Sequence, residues 1–122
     1  MIVVLVIDDD PYFREGVVDL VSLVVPTARI LEAENGRDGL NIVQQERPDY
    51  IFMDFQMPVM DGHDTALALS ENPERDKITL IGMSSADMST ARLSQTRQLC
   101  NYWWPKPFTL NQVAELFHDV TD

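Results

Sequence analysis

An apolar run with no polar face opens the chain: Ile2-Val3-Val4-Leu5-Val6-Ile7 stops abruptly at Asp8-Asp9-Asp10-Pro11. A strand that is apolar on both sides has to be covered on both sides, the situation of a central strand in a parallel sheet. Parallel neighbours cannot be joined by hairpins, so each strand must return through a crossover, usually a helix. The remaining chain should therefore alternate strands with helices. It does so without a repeat, a low-complexity tract or a Gly/Ser linker.

After Asp10-Pro11, the positions Phe13, Val17, Leu20, Val21 and Val24 follow a helical period that ends before Pro26. Asp10 is placed to cap that helix, with Pro11 at its first position. Ala28 to Ala33 reads as a second strand, and Asn35-Gly36 breaks the chain before a helix carrying Leu40 and Val43. Tyr50 to Met53 forms a third strand leading into Asp54; a short helix from about His63 to Ser70 follows and is stopped by Asn72-Pro73. Ile78 to Met83 is the fourth strand, Ala86 to Leu99 the fourth helix and Tyr102 to Trp104 the fifth strand. Thr109 and Gln112 have capping-box spacing for a fifth helix with Val113, Leu116, Phe117 and Val120 inward. Short right-handed crossovers between such units give an α/β fold whose sheet is covered on both faces.

At 122 residues, 45% of them apolar, the chain matches one compact domain, residues 1–122. Its 9 basic and 20 acidic side chains leave a net charge of −11. That balance argues against direct nucleic-acid binding, which depends on Lys and Arg meeting phosphates, and fits a chain that attracts cations or a basic partner. Most of the scattered carboxylates need no role beyond solubility. Cys100 is the single cysteine and cannot form an internal disulfide. The first apolar run is too short to span a bilayer and lacks a basic leader, so a cytoplasmic protein without a membrane segment is expected.

Ligand sites in open α/β sheets lie beyond the carboxyl ends of the strands, where strand order reverses. The chemistry-bearing residues occupy those places: Asp8, Asp9 and Asp10 after the first strand, Asp54 after the third, Ser84 after the fourth and Lys106 after the fifth. Carboxylates gathered in one cleft repel one another, and a hard divalent cation relieves the repulsion. Asp54, as a nucleophile toward phosphorus, needs positive charge and hydroxyl donors around the transferred group. A metal, Lys106 and Ser84 would supply them.

Asp8-Asp9, then Asp54-Phe55-Gln56-Met57-Pro58-Val59-Met60-Asp61-Gly62, Met83-Ser84 and Lys106-Pro107-Phe108 together resemble the receiver domains of two-component response regulators. The likeness spans the chain. It implies a doubly wound five-stranded parallel sheet of order 2-1-3-4-5 with five helices, and Asp54 as phosphoacceptor. It further implies Mg²⁺ held by Asp9 directly, by Asp8 mainly through water, by Asp54 and by the backbone carbonyl of Gln56. Ser84 would follow the phosphoryl group and Lys106 would pair with it, across a cis Lys106-Pro107 bond. The implied partners are a histidine kinase or a histidine phosphotransfer protein and a downstream effector. The implied output surface is the fourth helix, fifth strand and fifth helix, through which a homodimer could form. Such a chain is a self-phosphorylating acceptor, not a turnover enzyme.

The sequence departs from the family at Trp103, where a Tyr or Phe that rotates on phosphorylation is usual, at Pro105, and at Gln98 to Asn101 in place of a Gly-rich turn. Strand alternation should send Trp103 and Trp104 to opposite faces. Ser85 rivals Ser84 for the hydroxyl role, while Gln56 and Ala86 resemble positions that tune hydrolysis. His63 and His118 lack metal-ligand partners and read as structural or surface residues. Two other readings compete. Asp8-x-Asp10, Ser84 and Lys106 also mimic a small phosphatase of the haloacid dehalogenase type, although its further acidic motif is represented here only by Glu115, Asp119 and Asp122. A receiver-like module that is never phosphorylated would be expected to lack the acidic pair, the acceptor or the lysine.

Overall fold

Every strand expected from the apolar runs forms, and all five are parallel. The computed structural model describes residues 1–84 and 91–120. Within them the order is β1 (Val3–Ile7), α1 (Pro11–Val24), β2 (Arg29–Ala33), α2 (Gly36–Glu46), β3 (Tyr50–Asp54), α3 (Gly62–Ser70), β4 (Thr79–Ser84), α4 (Ala91–Gln98), β5 (Tyr102–Pro105) and α5 (Leu110–Leu116). A 3₁₀ turn at Arg75–Lys77, not anticipated, links α3 to β4. Ser85 and Ala86, and with them the expected start of the fourth helix, lie outside the described residues. The sheet order is β2-β1-β3-β4-β5, so the direction of winding reverses between β1 and β3.

Alternation along the strands divides the core in two. Val4, Val6, Phe52, Ile81 and Met83 face Val17 and Val21 of α1 and Val113 of α5. Leu5, Ile7, Ile51, Met53 and Leu80 face Val43 of α2 and Ala66 and Leu69 of α3. Burying each such side chain stabilises the fold by about 1.5–3 kcal/mol. That is why β1, β3 and β4 are nearly uninterrupted apolar runs. The edge strands β2 and β5 are more exposed, and β2 carries the charged Arg29 and Glu32.

The helix signals act as expected. The Asp10 carboxylate accepts from the amides of Tyr12 and Phe13, and Thr109 and Gln112 form the reciprocal capping box of α5. Trp104 joins the cluster of Phe52 and Phe108, while Trp103 lies on the other face. A β-carbon added to Gly82 of β4 would stand 2.2 Å from the Trp103 indole and 3.1 Å from Cys100 Sγ. Gly82 therefore leaves the space that Trp103 fills. No helix among the described residues is long and apolar enough to cross a membrane.

Candidate active site

Register brings the functional residues together. Ile7, the last residue of β1, pairs with Met53 of β3, so Asp8 and Asp54 both follow one step later on neighbouring strands. Asp54 pairs with Met83 of β4, and Ser84 with Pro105 of β5, just before Lys106. The ladder then continues past the strand ends. The Phe55 amide donates to Met83 O at 2.9 Å, the Lys106 amide to Ser84 O at 2.8 Å, and the Asp8 amide to Ala33 O at 3.0 Å. Backbone bonding therefore fixes the position of each of these strand-end residues, which lie far apart in sequence.

Asp8, Asp9 and Asp54 each offer an oxygen within 4.8 Å of the other two. Asp8 is fully buried. Its Oδ1 accepts from the Asp10 amide at 2.9 Å and its Oδ2 from Lys106 Nζ at 2.8 Å. Lys106 Nζ also lies 3.3 Å from Asp54 Oδ1 and sits 4.2 Å from the centre of the Phe13 ring. Asp9 is exposed, and its carboxylate accepts no hydrogen bond among the described residues. Asp9, Asp54, Gln56, Phe13 and Lys106 line an open cleft of about 560 Å³ that extends toward Asp61 and Arg92. Ser84, at the end of β4, is buried, and the Lys106-Pro107 bond is cis.

Burial pushes the Asp54 carboxyl up to about 6, the Asp8 charge adds to the rise, and Lys106 opposes it. Crowded hard-oxygen donors with one lysine between them form a donor set suited to Mg²⁺, which takes carboxylate oxygens and keeps several waters.

The loop after β3 shapes the other wall. The Met60 amide reaches back to Pro58 O at 2.7 Å around Val59, which holds φ 69. Such a turn at a β-branched residue costs about 1–3 kcal/mol. The Gly62 amide donates to Phe55 O at 2.8 Å, and Asp61 caps α3.

Residues 4–118 match the response regulator receiver domain family. The chain is a receiver domain. PilH of Pseudomonas aeruginosa is 31% identical over 104 residues, 85% of this chain and 84% of that protein. NarL of Escherichia coli is 34% identical over 82 residues, 67% of this chain but only 38% of the longer NarL. Among solved structures, the receiver domain of NarL from Mycobacterium tuberculosis superposes with a TM-score of 0.80 at 29% identity, covering 97% of this chain and 94% of that one. The receiver domain of the sensor histidine kinase PA1611 from Pseudomonas aeruginosa, with magnesium in its active-site cleft, gives a TM-score of 0.83 at 17% identity over 96% and 94% of the two chains. At that identity it shows the fold alone. The receiver fold and strand order expected from the motifs are those found.

The contacts of three residues of the receiver domain were not foreseen from sequence. Phe13, read only as an inward helix position, also lies beneath the Lys106 ammonium. Arg14 donates to the Asp8 carbonyl at 2.6 Å; its one signal was a basic residue in the first turn of α1, where the helix dipole disfavours a cation. Arg92 of α4 pairs with Asp61 and Asp64 at 3.0 and 3.2 Å. His63 is a buried structural residue, its Nδ1 2.7 Å from Thr96 Oγ1. His118 is exposed. Cys100 is half-buried, and burial pushes its thiol up to about 11.

The raised Asp54 pKa makes a prediction for the metal-free receiver domain. With a folded value near 6 against an ordinary 3.8, the charged form is penalised only in the folded state. That penalty is absent below about pH 4, grows as pH rises toward about 6 and is constant above. Two pH units correspond to about 3 kcal/mol. Water in the open cleft screens part of this, so Asp54→Asn should stabilise the protein by about 1–2 kcal/mol in urea unfolding at about pH 8 in EDTA. The gain should vanish near pH 4. A variant no more stable than wild type at about pH 8 would contradict the electrostatic account.

Proposed function

We propose that this receiver domain is a switch in which Asp54 takes a phosphoryl group from a phosphohistidine on a histidine kinase or a histidine phosphotransfer protein. The carrying observation is the difference between two neighbouring carboxylates. Asp54 lines the open cleft, whereas Asp8 is sealed, with both oxygens already accepting hydrogen bonds. A carboxylate in that position is a poor nucleophile, which also disfavours the phosphatase reading built on Asp8.

In the proposed step an Asp54 oxygen attacks phosphorus in line. The P–N bond to the donor imidazole breaks and its electron pair stays on the ring, giving an aspartyl phosphate that water later hydrolyses. Asp9, Asp54 and the Gln56 backbone carbonyl would hold Mg²⁺ directly, with Asp8 acting through water; the bound ion supplies counter-charge for the phosphoryl oxygens. Lys106 neutralises a second phosphoryl oxygen from its place beside Asp54. The Ser84 hydroxyl donates to a third.

Output would follow a population shift in the surface of α4, β5 and α5 toward an effector or a second copy of the chain. Trp103 would report it; its ring lies edge-on to Phe55 with centres 6.1 Å apart. The acceptor turns over no small-molecule substrate.

Acetyl phosphate with Mg²⁺ should raise the intact mass of wild type by one phosphoryl group, and beryllofluoride with Mg²⁺ should shift its tryptophan emission. Asp54→Ala should show neither. A wild type unchanged in mass and spectrum would leave the domain an unphosphorylated interaction module. Phosphate release from a small phosphoester that Asp8→Asn abolishes and Asp54→Asn spares would establish the phosphatase instead.

A further inference from the structure

We infer that Arg14 is a positioning residue for the metal-binding pair: by gripping the Asp8 carbonyl it fixes the Asp8–Asp9 peptide, and so holds Asp9 over the cleft it shares with Asp54. The inference rests on the proposed Mg²⁺ site.

Every other polar handle of Asp8 is already fastened. Its amide bonds Ala33 O, one carboxylate oxygen takes the Asp10 amide and the other takes Lys106. The remaining group is its carbonyl, which shares a peptide plane with the Asp9 amide. Arg14 holds that carbonyl at 2.6 Å through a terminal guanidinium nitrogen, while its Nε bonds Glu32 Oε1 of β2 at 3.0 Å. The guanidinium is therefore anchored between two strands, and its side chain is only 18% exposed.

Asp9 has no such fastening. Its carboxylate accepts no hydrogen bond among the described residues, so its location depends on the backbone that carries it. Ligand groups held by an outer layer of hydrogen bonds typically lose 10–100-fold in metal affinity when that layer is removed. Lysine could reach the carbonyl but not hold it and Glu32 together in one planar fork.

Simple electrostatics makes the opposite prediction, and this separates the two. Removing a cation near an anionic site should tighten the binding of Mg²⁺. A positioning role requires it to weaken.

The experiment is a MgCl₂ titration at fixed ionic strength, followed by tryptophan fluorescence and calorimetry, on wild type, Arg14→Met, Arg14→Lys and Asp9→Asn, each checked for cooperative unfolding in EDTA. Arg14→Met should raise the Mg²⁺ dissociation constant about tenfold, and Arg14→Lys should lie between it and wild type. At saturating Mg²⁺ the rate of labelling by acetyl phosphate should return to near the wild-type rate, which general loosening of the fold would not allow. Equal or tighter Mg²⁺ binding by Arg14→Met overturns the assignment. Should that variant fail to fold, Arg14→Lys decides on the same criterion. If wild type and Asp9→Asn respond alike to Mg²⁺, the metal site itself falls, and this role for Arg14 with it.

Discussion

Lys106→Met should lower the unfolding free energy of the metal-free domain by about 3–5 kcal/mol, the usual consequence of removing one partner from a buried ion pair. The reason is Asp8 more than the lysine. Asp8 has no exposed surface, and its Oδ2 faces the ammonium at 2.8 Å while only a backbone amide serves Oδ1. Without Lys106 the carboxylate must stay charged with one amide donor or take up a proton. Methionine keeps an unbranched stem of similar length and loses the ammonium that sits over Phe13, so the loss reports charge more than volume.

The double variant Asp8→Asn/Lys106→Met removes the fully buried charge as well, leaving Asp54 at the cleft as the one carboxylate deprived of its ammonium. It should recover most of the deficit, returning to within about 1–2 kcal/mol of wild type, because residues in one network couple strongly. Urea unfolding of the four proteins in EDTA, read by tryptophan emission, closes the cycle. Additive losses would mean that Asp8 and Lys106 do not depend on each other. Mg²⁺ should stabilise wild type further, as binding to the folded state must.

Gly62→Ala should destabilise the domain by about 2–3 kcal/mol through overpacking against rigid backbone. The added carbon would lie 2.7 Å from both Asp54 O and Phe55 Cα, and 3.1 Å from Phe55 O. No flexible side chain stands there to give way, so the strand end carrying Asp54 must move. Gly62 does not hold a positive φ; close approach alone excludes the side chain. Helix propensity argues the other way, favouring alanine over glycine by about 1 kcal/mol. Gly16→Ala is the control. In α1 nothing lies within 4 Å of the added carbon, so that variant should gain about 0.5–1 kcal/mol. Opposite signs for the two substitutions in the same thermal or urea assay are the expected result, and weaker Mg²⁺ binding should accompany Gly62→Ala only.

The strands were legible because β1, β3 and β4 are buried on both faces, which leaves a nearly continuous apolar signature. The helices were legible from caps such as Asp10 and Thr109. The 3₁₀ turn at Arg75–Lys77 was not, since it carries no buried residue and therefore no periodicity. The convergence of Asp8, Asp9, Asp54 and Lys106 followed from their places at strand ends, which topology brings to one edge. Sequence could not separate the sealed Asp8 from Asp54, which lines the cleft, because the difference depends on Lys106, remote in the chain, and on the local turn that brings in the Asp10 amide. Arg14 escaped because its partners are the Asp8 carbonyl, a backbone group just past β1, and Glu32 of β2. Alternation correctly sent Trp103 and Trp104 to opposite faces, but it could not show that Gly82 is hollowed out to receive one of them.

That hollow bears on how freely Trp103 can move. A small aromatic ring lying on a strand can toggle outward at little cost, because the surface beneath it stays covered. Trp103 fills a notch made by a missing side chain, and turning it out would strip Gly82 bare and leave an unfilled gap beside Cys100. The indole is thus a wedge more than a lever. Any shift of β5 that kept this notch filled would have to carry the tryptophan along with Gly82.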